Sequence, residues 1–344
     1  MINHKVSVII LNYNGRTKLR DLLDKAIESA LNQSYPNIEV VFADNGSTDN
    51  SADYVRERFG GAVKVVRFGR NYGFCMGNNL SVKYIDKDSR YILFQNPDAI
   101  LSRDYVSVLV DFMGRNKNVA AVQGLQVALD GSYAYCGGFV DSFGRGVELT
   151  LTPSMARLLS EPVDVYWVSG SAMLIRRRLF ELVGGFPSEF FLYHDEIDLC
   201  SRLRYLGFRC VCVPRVAYYH VRGGIVGSNV INWVSWYFTY RNRLLTTIRY
   251  MPINYLIRSI MLGLPVEFAV NALKSFRDRV RIVLQLRMFS YIMRSLSKEL
   301  RIRMSYVGEG NLSNVAKYIV SIPSPLTKEE YTQGMIIRDI IRAR

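Results

Sequence analysis

Short β-branched apolar runs alternate with helically spaced apolar positions along the N-terminal part of the chain. Val6 to Leu11 is one such run and ends in Asn12-Tyr13-Asn14-Gly15, which predicts a strand and a turn. Leu19, Leu22, Leu23, Ile27, Ala30 and Leu31 recur at helical spacing. Ile38 to Ala43 predicts a second strand, closed by Asp44-Asn45-Gly46-Ser47-Thr48-Asp49. Ser47 or Thr48 stands where it could cap a helix from Ala52 to Phe59. Val63 to Val66 predicts a third strand, and Asn71 to Asn79 opens a helix reaching about Ile85. Tyr91 to Phe94 is a fourth strand, stopped by Asn96-Pro97. Short strands with helices between them predict βαβ units and an open, mostly parallel sheet.

Further along, Ala120 to Gly124 predicts another strand. Residues 128–163 are glycine-rich and irregular, and read as a loop or small hairpin. Tyr166 to Ser171 leads into a strand at Ala172 to Ile175, then a helix from Arg176 to Val183 and a Gly184-Gly185-Phe186-Pro187 turn. A helix opened by Asp195-Glu196-Ile197-Asp198 continues through Leu199, Leu203 and Leu206 to a Gly207 cap. Phe208 to Val213 and Val216 to Tyr219 read as strands, the second leading to His220.

This pattern gathers polar side chains at one place. In a parallel sheet Asn12, Asp44 and Asp98 follow strand tips on the same edge, where α/β sheets bind ligands. Asn96-Pro97-Asp98 has two readings, an ordinary turn or a carboxylate presented to that crevice. No G-x-G-x-x-G follows the first strand, and there is no P-loop. A nucleotide could instead be held by Asp44 on a base or sugar hydroxyl and by Asp98 through a metal on the phosphates. Asp195, Glu196 and Asp198 follow the aromatic run Phe190 to Tyr193. Acids in a first helical turn suit the helix dipole; beside apolar rings they also suit a general base, because burial raises a carboxyl pKa. His220 is either a structural histidine or a second metal ligand beside Asp98.

Charge divides the chain. Of its 344 residues, those from 225 onward hold 18 Lys and Arg against 7 Asp and Glu, a net of +11 out of a total of +14. The stretch 223–240 carries no charge but is broken by polar residues, and Ile253 to Leu273 is interrupted by Arg258, Pro265 and Glu267, so neither predicts a clean membrane span. Residues 286–301 form the clearest amphipathic helix. Leu286, Phe289, Ile292, Met293, Leu296 and Leu300 share one face, and Arg287, Arg294, Lys298 and Arg301 the other. Such a helix either packs on the body with a solvated basic face or meets anionic lipid. No nucleic-acid-binding motif accompanies the charge, so nucleic acid is not expected as a partner. The five cysteines show no zinc or disulfide spacing. The first apolar run is too short for a signal peptide, so a reducing, cytoplasmic setting is expected.

Taken together, the chain resembles the family 2 glycosyltransferases of the GT-A fold, in their rhamnosyltransferase- and galactofuranosyltransferase-like branch. The matching stretches are Val6 to Gly15, Asp44 to Asp49, Asn71-Tyr72-Gly73-Phe74 with Asn78, Asn96-Pro97-Asp98, Gly184-Gly185-Phe186, and Glu196 to Cys200 with Arg202-Leu203. The resemblance covers about residues 5–224 and implies an α/β catalytic domain there, taken as 1–224; charge and amphipathic pattern give a basic helical region over 225–308, expected to associate with membrane, and 309–344 reads as a polar tail. It implies nucleotide-sugar contacts at Asn12, Asn14, Asp44, Asn71, Gly73, Asn78, Asn96 and Gly170. Asp98 and His220 would hold Mg2+ or Mn2+, with Asn96 standing where the family's first DxD acid sits; one or two carboxylates suffice for such an ion. The family's acid pair reads Glu-Asp with the second acid as base; here that position carries Glu196, with Asp195 and Asp198 as alternatives. The implied activity is metal-dependent transfer from a nucleotide-diphosphate sugar donor to a glycan or lipid-linked acceptor, one base and one leaving group in line giving inversion. The basic amphipathic helix adds the expectation of a peripheral place on the inner face of the cell membrane with anionic lipid as partner. Homo-oligomerisation stays open, as do two other functions, a sugar nucleotidyltransferase and a catalytically silent sugar-nucleotide-binding protein.

Overall fold

The apolar runs become strands because each can bury both faces between helices. The computed structural model describes residues 4–221, 231–275, 279–307, 312–324, 333–337 and 340. In chain order its strands are β1 (Val6–Asn12), β2 (Ile38–Asp44), β3 (Lys64–Arg67), β4 (Tyr91–Gln95), β5 (Ala99–Leu101), β6 (Val119–Val127), β7 (Ala134–Asp141), β8 (Gly146–Leu151), β9 (Val163–Val165), β10 (Ala172–Arg176), β11 (Arg209–His220) and β12 (Ile319–Val320). The sheet runs β12-β7-β6-β10-β4-β1-β2-β3. From β4 to β3 it is parallel, and Asn12 pairs directly with Asp44 at its tips. Successive β1 residues face opposite layers: Val8 and Ile10 join Leu23, Ile27 and Phe42 on one side, and Ile9 joins Val41 and Phe94 on the other.

Beyond β4 the parallel expectation gives way to a mixed sheet. β10 runs antiparallel to β4, with Ala172 opposite Gln95, and β11 runs parallel to β6. This reversal brings the chain before Ala172 alongside the tip of β4. Residues 128–163 take the hairpin reading and add to it. They supply the antiparallel pair β7 and β8, a short helix Pro153–Leu158 and β9. The two strand runs near 208–219 are one strand, β11, with an irregularity between Cys212 and Ala217 where Pro214 cannot donate to the ladder. The helix expected from Leu19 breaks at Arg20, which has φ 51°, and resumes as Asp21–Leu31. Ser47 and Thr48 do not cap the helix Ser51–Phe59. Asp49 accepts from the Ser51 amide at 3.1 Å there, and Ser47 turns to the strand tips instead.

The basic third is built into the body. Helix Ile231–Tyr250 packs against the acidic helix Asp195–Tyr205 and against the long helix Arg279–Val307. The long helix does not bury the whole of its expected apolar stripe. Ile292 is buried, but Leu286, Phe289, Met293 and Leu300 are exposed, while Gln285, Glu299 and Arg303 face inward. Its inward face is chosen by ion pairs and carbonyl contacts with helix Ile231–Tyr250, a choice hydropathy cannot register. The segment read as a loose polar tail is attached over residues 312–324. Val315, Ile319 and Ile322 enter the core between polar neighbours, and β12 pairs with β7. The uncharged stretch 223–230 and much of 325–344 lie outside the described residues.

Candidate active site

Three strand tips and one helix start assemble the site. At the β1 and β2 tips, the Asn12 side-chain amide donates to Asp44 Oδ1 at 3.3 Å and to Ser47 Oγ at 3.2 Å. Ser47 Oγ accepts from the Asn14 amide at 2.9 Å, and Asn14 Oδ1 accepts from the Thr48 amide at 2.8 Å. Asn45 bridges to the next loop. Its amide donates to Asn71 Oδ1 and to the Gly73 carbonyl, and its Oδ1 accepts from Tyr72 at 3.0 Å. Gly73 has φ 78°, and a Cβ there would meet the Phe191 carbonyl at 2.4 Å, so only glycine lets the two loops touch. Asn78 is buried and donates to the Phe74 carbonyl within its own helix, which assigns that amide to holding the loop. Neither Asn45 nor Ser47 was expected at the site from sequence, Ser47 having the pattern of a helix cap, although both lie within Asp44 to Asp49.

At the β4 tip, Asp98 Oδ1 lies 3.1 Å from His220 Nε2, because β5 pairs with β11 and sets His220 opposite Ala99. Asn96 Nδ2 lies 3.3 Å from the same nitrogen. His220 Nδ1 is buried without a hydrogen-bond partner. A carboxylate and an imidazole meeting at one point suit a divalent ion, and a buried unpartnered ring nitrogen shows that the ring is not consumed by structural bonds. No group of three or more His, Cys, Asp or Glu that could hold a metal occurs among the described residues. An ion here would therefore draw its other ligands from phosphate oxygens and water.

The antiparallel β10 joins this tip to the acids. The Asn96 amide donates to the Ser171 carbonyl at 2.8 Å, and the neighbouring Gly170 amide donates to Glu196 Oε1 at 3.3 Å. A Cβ on Gly170 would crowd Phe74 and the Glu196 side chain. Asp98 and Glu196 are thus linked by one short relay of strand contacts.

The three acids of the helix Asp195–Tyr205 have separate environments. Asp198 is buried between Arg202, at 2.8 Å, and Arg249, at 2.9 Å, which places it in the core ion-pair network and away from the cleft. Asp195 is buried with Oδ2 unpartnered, and burial, with Glu196 and Asp198 adding to it, raises its pKa well above the ordinary range. Glu196 is half-buried; loss of water raises its pKa, Glu148 on β8 adds to the rise, and the Gly170 amide opposes it. His194, at the start of this helix, is held neutral, its pKa lowered to about 3 by desolvation and by Arg243. Of the three acids, the half-exposed Glu196 combines access with a raised pKa, which a base requires.

Comparison with known proteins gives the family and the fold. Residues 7–184 match the profile of the family described as glycosyl transferase family 2. Rhamnosyltransferase WbbL of Escherichia coli K12 is 27% identical over 222 residues, spanning 61% of this chain and 80% of that protein. The N-acetylglucosaminyl-diphospho-decaprenol L-rhamnosyltransferase of Mycobacterium tuberculosis is 27% identical over 213 residues, spanning 56% and 69%. The crystal structure of GalNAc-T7 with UDP, GalNAc and Mn2+ superposes with a TM-score of 0.56 at 18% identity, covering 71% of this chain and 48% of that one. That last likeness speaks for the fold, a GT-A-type α/β sheet. The family match over half the chain, with these relatives, makes this protein a glycosyltransferase that belongs to glycosyl transferase family 2, in its rhamnosyltransferase-like branch.

Proposed function

We propose that the enzyme transfers a sugar of the rhamnosyl class from a nucleoside-diphosphate donor to a hydroxyl of a lipid-linked acceptor, inverting the anomeric centre. The names of its relatives support the sugar and the lipid-linked acceptor. The observation that carries the chemistry is Glu196, a carboxyl with a raised pKa that is half-exposed and connected through Gly170 and Ser171 to the Asp98–His220 tip. Asp44, Asn12 and the Asn45-braced loop would receive the nucleoside. Asp98 and His220 would hold Mg2+ or Mn2+ against the diphosphate, and such an ion offsets the charge left on the departing phosphate. The neighbour crystallised with UDP and Mn2+ supports that choice. Glu196 accepts the proton of the acceptor hydroxyl as it attacks, a contribution of about 10²–10⁴-fold. A single base acting opposite a single leaving group gives inversion.

Glu196→Gln is expected to lower kcat by about 10²–10⁴-fold while leaving donor binding unchanged. In the wild type, kcat/KM should rise with pH through the elevated Glu196 pKa, because the base acts only once deprotonated. Normal turnover by Glu196→Gln would refute this assignment.

The same reading sets the enzyme peripherally on the cytoplasmic membrane face. Ile253–Val270 is long and apolar enough to cross a membrane by length and composition alone. Its charges, however, are turned to the protein: Arg258 donates to the Pro323 carbonyl at 3.0 Å and Glu267 pairs with Arg243. Met261, Phe268 and Phe289 remain exposed, as do Arg287 and Arg294, which favours lying in the interface over spanning it. The full chain should float with vesicles containing anionic lipid, and Met261→Asp with Phe289→Asp should sink. Equal flotation of both proteins would remove the idea.

A further inference from the structure

The acids at the start of the helix Asp195–Tyr205 are presented by a six-residue strap, Glu189 to His194, whose backbone is unusual. Tyr193 and His194 both have left-handed φ, 68° and 64°, and neither is glycine. Side chains with a Cβ resist this conformation, so two in succession persist only where the surroundings impose them. The surroundings are specific. The Phe74 amide donates to the Phe191 carbonyl at 2.8 Å. The Asn242 side-chain amide donates to the Leu192 carbonyl at 3.0 Å and to the Tyr193 carbonyl at 2.8 Å. Arg241 donates to the Glu189 carbonyl at 2.9 Å and to Asn242 Oδ1, which fixes the orientation of that amide. Asn242 is fully buried, and both its amide bonds go to the strap.

We infer that Asn242 is a positioning residue for the transfer reaction: it holds the strap in its left-handed turn and so aims Glu196 at the acceptor hydroxyl. The inference rests on Glu196 being the base. Its consequence is that the C-terminal region completes the catalytic site, since one amide clamps the carbonyls immediately preceding the acidic turn. The neighbouring loop that braces the nucleotide side touches the same strap through Phe74, so donor and base share one support. An aspartate at position 242 keeps the size of the side chain but has no N–H to offer two carbonyls, and it sets a carboxylate against them.

The test uses the full-length protein. Asn242→Asp should lower kcat about ten- to hundredfold, the effect of a misplacement near 1 Å, with donor KM changed less than about twofold. In the Glu196→Gln background the same substitution should cost no further rate in single-turnover measurements, because residues acting through one group are not additive. Unchanged kcat in Asn242→Asp would overturn the inference, as would a full additional loss in the Glu196→Gln background. Asn242→Ser, neutral and too short to reach the carbonyls, repeats the reading if the aspartate variant precipitates. Failure of both to fold would also overturn it, since Asn242 would then support the fold and not the strap. If Glu196→Gln itself turns over normally, the base assignment falls first, which separates the two failures.

Discussion

The rim of the cleft and the strap that carries its acids are secured by different means. On the rim, Asn12, Asn14, Asp44, Asn45, Ser47 and Asn71 bond one another through amide and hydroxyl groups that lie 26 to 35 residues apart. The strap and its helix are secured by side chains 49 to 60 residues downstream, and several of those are buried charges. Arg249 joins Asp198, Glu189 and Glu299 at one point, where its own side chain is 2% exposed. The rim is held by hydrogen bonds among neighbouring loops. The strap is tied into the packing of the whole chain, so its function and the stability of the fold are inseparable there.

The largest break in that comparison comes from Arg249→Ala. It leaves Glu299 buried and unpaired and Asp198 with Arg202 alone, and should cost about 3–5 kcal/mol of stability, read as a lower urea midpoint. A loss under about 1 kcal/mol, the scale of an exposed ion pair, would mean that the network is not the anchor described. Asp195→Asn comes next. The Asp195 pKa is raised by folding, so its stabilising contribution is complete below the ordinary carboxylate range and is lost as pH climbs through the elevated value. The wild-type thermal midpoint should therefore fall with rising pH over that window. The asparagine variant should flatten the fall by roughly 1–2 kcal/mol, the usual size of a single buried substitution. An identical pH dependence in both proteins would count against a buried neutral Asp195. The smallest effect is expected on the rim. Asn45→Ala removes bonds to Asn71, Tyr72 and Gly73 and should raise donor KM several-fold while lowering the urea midpoint less than Arg249→Ala does. A collapse in stability there would erase the distinction between rim and strap.

Much of the rim was legible in sequence because its chemistry is local. The run Val6 to Leu11 had to be a strand, and its pairing with Ile38 to Ala43 sets Asn12 beside Asp44 with no further information. Asp98 and His220 were legible as candidates by residue type, and the β5–β11 pairing then brings them to 3.1 Å. The acids at 195, 196 and 198 were legible as a trio only. Helical spacing says that they point in different directions, but not which direction is wet. Arg202 and Arg249 decide that by taking Asp198 into the core.

Sequence alone determined the βαβ frame, the polar strand tips and the excess of positive charge in the last third. Tertiary structure decided where that charge goes. Arg243 is paired with the partly buried Glu267, Arg249 with the buried Asp198, and Arg303 donates to the Ile248 and Met251 carbonyls. It also decided that Asn242 reaches a strap 49 residues earlier. Composition counts charges and periodicity assigns faces, but neither specifies which distant partner a buried donor meets. That choice is made by packing, because a buried donor or charge without a partner is too costly to keep.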